Sequence, residues 1–107
     1  MRTYMPKSYR MSNLVYLMTR ATLRDYDRLL KELPQAEQAH DTERAKALRD
    51  RIVAIEYAQH AVAPEYRAAV WENIVHGTPF PAGMRRSILS DRRKLLIQTA
   101  AYTLGFM

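Results

Sequence analysis

The sequence has no cysteine, which rules out disulfides and thiolate metal sites. Glycine occurs only three times, and two of the three lie between residues 77 and 83. No glycine-rich phosphate loop is present, and no serine sits in a nucleophile elbow. No apolar run approaches the ~20 residues that a membrane span requires. Residues 1–10 mix charges and tyrosines and do not form the apolar core of a signal peptide. The expectation is a cytoplasmic protein with no membrane partner.

Catalytic and metal-binding constellations are equally scarce. His40, His60 and His76 have no partner at metal-ligand spacing, and His-Glu-x-x-His does not occur. His76, next to Gly77, reads as a helix-end residue. The closest carboxylates, Asp25 with Asp27 and Asp41 with Glu43, are two positions apart. On a helix that spacing turns them to different faces, so neither pair can share a proton. The expectation is a protein that is not an enzyme, with no metal, no cofactor and no small-molecule substrate.

What is present favours helix. The chain has 107 residues, the size of one domain, and 48% of them are hydrophobic. Alanine, leucine, arginine and glutamate are common, and runs of β-branched residues are few. Ser12 can cap a first helix, in which Leu14, Leu17, Met18 and Ala21 recur at helical spacing and Leu23, Tyr26, Leu30 and Leu33 continue the stripe. This stretch is either one helix over about 12–33 or is broken near Thr22, where Thr22 and Asp25 suit a capping box. Pro34 is expected to end it, in a turn or in the first turn of a restarted helix.

Asp41 or Thr42 can cap a second helix to about residue 62, with the stripe Ala45, Leu48, Ile52, Ile55, Gln59 and Val62. Pro64 opens a third over about 65–76, and Gly77 supplies its left-handed end. Pro79 and Pro81 make the next stretch extended, with Phe80 as a plug into the core. A last helix spans about 87–104, and Gly105 terminates it. The predicted fold is all-α: a helical hairpin followed by two shorter helices, in one compact domain. Its parts are a basic arm (1–11), the hairpin (12–62) and a basic helical unit (63–107). The stripe of the second helix, with Leu48, Ile52 and Ile55, exceeds what one small core covers, so a homodimer is expected. Trp71, beside Tyr66 and the Pro-Phe-Pro segment, is a further candidate for a protein interface, although a lone tryptophan is commonly core.

Charge is the clearest functional signal. The net charge is +6. Residues 1–34 carry seven basic and three acidic residues, 35–76 five and seven, and 77–107 five and one, so basic ends flank an acidic middle. Arg85, Arg86, Arg92, Arg93 and Lys94 cluster around the start of the last helix, with Ser87 and Ser90 between them. Guanidinium forks, hydroxyls and the free N–H groups of a helix N-terminus suit phosphate, and released counterions drive such binding. Arg92 and Arg93 are expected to enter a groove, with Arg85 and Arg86 on the backbone. Arg2, Lys7 and Arg10, with Tyr4 and Tyr9, form a candidate arm along a nucleic acid. The competing expectation is a solvated face paired with Glu56, Glu65 and Glu72.

The segment Pro64-Glu65-Tyr66-Arg67, Val70-Trp71-Glu72-Asn73-Ile74, Gly77-Thr78-Pro79-Phe80-Pro81, Arg92-Arg93-Lys94 and Leu104-Gly105 resembles the C-terminal part of small helical proteins encoded by phages and prophages. In layout the chain is similar to late-transcription regulators of the RinA and ArpU type. That resemblance implies a helix-turn-helix, DNA as partner, and the basic cluster on or beside the recognition helix. Here two prolines stand where the motif has a short helix, so any such motif is degenerate. The expected function is a non-enzymatic, phage-type transcription regulator that binds DNA. The alternatives are a small phage-encoded inhibitor of a host protein or defence complex, and a dimeric scaffolding protein.

Overall fold

The computed structural model describes residues 11–107. Among them the chain forms five helices and no strand: α1 (Asn13–Arg24), α2 (Tyr26–Gln38), α3 (Thr42–His60), α4 (Pro64–His76) and α5 (Arg86–Thr103). The all-α class is as expected. The basic arm falls almost wholly outside the described residues, which begin at Met11.

Of the two readings of the 12–33 stretch, one helix or a break near Thr22, the structure has the break, at Asp25. Ser12 caps α1 as anticipated, its hydroxyl accepting from the Val15 amide at 3.2 Å. The chain then turns at Asp25. The Asp25 amide donates back to the Ala21 and Thr22 carbonyls, while its own carbonyl accepts from Leu29 and opens α2. Each half follows a different partner: α1 packs against α4 and α5, and α2 against α3.

Pro34 does not end the helix. It lies inside α2, which runs on to Gln38. The missing N–H leaves the Leu30 carbonyl without its usual donor, at a residue that is 42% exposed and so open to water. Beyond the proline, Ala36 is buried to 1% exposure. Tertiary packing thus outweighs a local penalty of about 3 kcal/mol for an interior proline.

The hairpin is therefore α2–α3, and its corner is tight. His40 takes a left-handed conformation at φ 55°. The Asp41 amide reaches the Ala36 carbonyl at 3.0 Å and the His40 amide reaches Glu37 at 3.1 Å, the double closure of a Schellman end. Asp41 then caps α3, its carboxylate accepting from the Arg44 amide at 3.2 Å.

The C-terminal helices follow the expected punctuation. Pro64 opens α4, and Gly77 closes it at φ 70°. An irregular segment over 77–85 joins α4 to α5, with no short helix where the resemblance to a helix-turn-helix would require one. Asn73 ties this segment to α4 by donating to the Thr78 carbonyl at 3.0 Å, and Phe80 and Met84 pack against the core. α5 ends at Gly105, φ 82°, with the Phe106 amide on the Ala101 carbonyl at 2.8 Å.

One core draws on all five helices: Leu23, Leu29, Ile52, Ile55, Val70, Ile74, Leu89 and Leu96 are buried together. This corrects the expected interface. Ile52 and Ile55 lie inside the single chain, and Leu48 packs against the same core half-buried. α2 and α5 cover the α3 stripe that seemed to require a second subunit. Trp71 is also half-buried, its ring meeting Tyr26 edge-on at 5.5 Å.

Candidate nucleic-acid interface

The basic run of α5 does not present one surface. At about 100° per residue, Ser87, Ser90 and Lys94 share one side of the helix, whereas Arg92 lies about 160° from Lys94. Arg85, Arg86, Ser87 and Lys94 are exposed, while Ser90, Arg92 and Arg93 are half-buried.

Arg92 turns toward α4, its guanidinium 5.8 Å from the centre of the Tyr66 ring. Arg93 points between helices. Its Nε donates to Asn73 Oδ1 at 2.8 Å, and Nη2 donates to the Tyr16 hydroxyl at 3.1 Å. Arg93 thus ties α5 to both α4 and α1, and Arg92 and Arg93, expected to enter a groove, both make contacts within the fold. Both are engaged within the fold by neutral groups.

The competing expectation, pairing with Glu56, Glu65 and Glu72, is not what the structure holds either. Among the described residues no carboxylate bridges Arg85, Arg86, Arg92, Arg93 or Lys94. Glu56 instead accepts from the Tyr26 hydroxyl at 2.6 Å, and Glu72 faces His76 at 3.0 Å. The α5 N-terminus has no acidic residue in its first turn and no side-chain cap. Its orphan amides and positive dipole end therefore add to Arg85 and Arg86. Arg2, Lys7 and Arg10, the arm candidates, lie outside the described residues.

Several arginines escaped the sequence reading. Arg20 of α1 stacks on the Tyr16 ring at 5.3 Å, opposite an Arg93 guanidinium at 5.9 Å. Their i, i+4 spacing was legible, but the arrival of Arg93 from 77 positions away was not. Burial would push the Tyr16 hydroxyl up. The hydrogen bonds and charges of Arg93 and Arg20 outweigh it and hold the group below the ordinary tyrosine value. Arg24 and Arg67 cap helix ends: Arg24 Nε donates to the Ile74 carbonyl of α4 at 3.0 Å, and Arg67 donates to the Gln59 and Val62 carbonyls at the end of α3.

A further groove lies elsewhere. About 760 Å³ opens between α3 and α5, lined mainly by Tyr57, Ala61, Leu95, Thr99 and Tyr102. Tyr57 and Tyr102 are 65% and 71% exposed there. Among the described residues, no group of three or more histidines and carboxylates could hold a metal ion, and no helix is long and apolar enough to cross a membrane. No family model, curated protein or solved structure matches this chain.

Proposed function

We propose that the chain is a non-enzymatic nucleic-acid-binding protein that grips phosphates with the free end of α5. Arg85, Arg86 and Lys94 supply charge, and Ser87 and the first-turn amides supply directional donors. By sequence the arm contributes Arg2, Lys7 and Arg10. The observation that carries the proposal is the state of Arg85, Arg86 and Lys94. They are exposed and unpaired with any carboxylate among the described residues, in a chain whose α2–α3 cations are mostly paired. The resemblance of the sequence's layout to phage late-transcription regulators makes duplex DNA the first target.

Fluorescence anisotropy with random-sequence duplex and single-stranded oligonucleotides, run over a salt series, tests the proposal. Binding that weakens steeply as salt rises is the expected result. No binding at low salt overturns it. A second proposal, association with a protein or with another copy, is favoured by the α3–α5 groove and its two exposed tyrosines. Tyr57→Glu with Tyr102→Glu should then shift a complex to monomer in size-exclusion chromatography with light scattering.

A further inference from the structure

A shallow depression of about 180 Å³ lies between α1 and α5, lined by Met11, Tyr16, Arg93, Lys94, Ile97 and Gln98. That is space for roughly six waters at liquid density. Its floor is apolar, because Ile97 is buried, and a low local dielectric strengthens any charge contact made above it. Among the described residues no carboxylate lines it.

Among the described residues its charges meet no carboxylate. Arg93 is half-buried, yet its observed partners are neutral: the Asn73 amide oxygen, the Tyr16 hydroxyl and the Tyr16 ring. These hydrogen bonds occupy two of the five guanidinium donors, and no other hydrogen bond among the described residues takes the rest. Lys94 brings a second cation to the lining, and Arg20, outside the lining, sits 5.3 Å from the centre of the Tyr16 ring. A half-buried cation without a counter-ion is costly, and two cations in one lining, with Arg20 beside Tyr16, make the site attractive to an anion.

We infer that this depression binds a single phosphate-class oxyanion, held by the Lys94 ammonium, the spare Arg93 N–H groups and the Gln98 amide, with Arg20 adding charge. The lowered Tyr16 hydroxyl accords with the positive field. The anion has two sources: a free phosphate or phosphomonoester, or a phosphate of a nucleic-acid strand. The row Ser87, Ser90, Lys94 leads from the α5 N-terminus to the rim and gives a strand a path. The inference rests on the depression's own cations and stands apart from the nucleic-acid proposal.

The test is a titration of the whole chain with inorganic phosphate at constant ionic strength, followed by NMR at the Arg93 Nε–H and the Tyr16 ring. Saturable shifts at both groups are expected. Lys94→Gln, at an exposed position that leaves the fold intact, should weaken them about tenfold. Arg49→Gln on α3 should leave them unchanged. Competition by an oligonucleotide with a 5′-phosphate, compared with its unphosphorylated twin, assigns the source. Preference for the former identifies a strand end, equal competition a backbone phosphate, and no competition a small phosphate ligand. Absence of saturable shifts, or equal affinity in Lys94→Gln, overturns the inference. Oligonucleotide binding that persists in that event leaves the α5 interface standing.

Discussion

The α2–α3 hairpin and the α1–α5 seam are both rich in arginine and lysine, and they use them in opposite ways. On the hairpin, Arg28 pairs with Asp25 and Glu32, Arg44 with Glu32, Lys46 with Asp50 and Arg49 with Glu37. At the seam the observed partners of Arg20 and Arg93 are the Tyr16 ring, the Asn73 amide oxygen and the Tyr16 hydroxyl. Two half-buried tyrosines register the contrast. Tyr26 donates to Glu56, and burial together with that carboxylate pushes its hydroxyl up to about 12. Tyr16 accepts from Arg93 and is held below the ordinary value despite its burial. Charge that is neutralised inside the hairpin is left in surplus at the seam, and only a surplus can recruit a polyanion.

The largest expected effect separates structural from exposed arginines. Arg93→Ala leaves Asn73 and Tyr16 without their charged donor and should cost about 2 kcal/mol in urea denaturation. Arg67→Ala should cost a similar amount, about 1.5–3 kcal/mol, because it frees two helix-end carbonyls. A loss as small as that of a surface residue would mean that the Arg93 bridge adds nothing to stability.

High pH should divide the two tyrosines. The Tyr26 hydroxyl holds its proton more tightly folded than unfolded, where the value is the ordinary 10.0. Its contribution is therefore fully present below pH 10 and fades as pH rises toward 12. Tyr16 has the opposite sign, since its folded value is depressed, and its contribution grows as pH climbs from that lowered value through 10.0. Stability measured above pH 10, wild type against Tyr26→Phe and Tyr16→Phe, should diverge in opposite directions. Parallel curves would erase the electrostatic contrast.

Smaller effects belong to the hairpin surface. Arg49→Ala removes an exposed pair with Glu37 and should change stability by no more than about 0.5 kcal/mol, less at high salt. His40→Gly relieves a left-handed non-glycine residue and should stabilise by about 0.5–1 kcal/mol, read as a raised thermal midpoint.

Much of the fold was legible because caps and prolines act locally. Ser12, Asp41, Pro64, Gly77 and Gly105 stand where the sequence placed helix ends. Tertiary packing decided between one helix and a break over 12–33, and carried the helix past Pro34 where an end was expected. Asp25 breaks a continuous apolar stripe because its halves meet different partners, and α2 passes through Pro34 because Ala36 beyond it is buried. The candidate site was legible as composition and not as direction. Five cations in ten residues were plain to see, yet helical rotation sends Arg92 to Tyr66 and Arg93 to Tyr16 and Asn73. Ile52 and Ile55 were seen as an interface because a stripe alone does not reveal that α2 and α5 of the same chain will cover it.

The most direct measurement is the salt dependence of duplex-DNA affinity in two triple variants, each compared with wild type. Arg85→Ala with Arg86→Ala and Lys94→Ala should flatten the slope of log K against log salt by roughly 0.9 for each phosphate no longer neutralised, up to about 3 in all. Arg44→Ala with Lys46→Ala and Arg49→Ala should leave the slope unchanged. Equal slopes in the two variants, or a larger reduction from the hairpin, would contradict the assignment of the α5 end as the surface that grips phosphate.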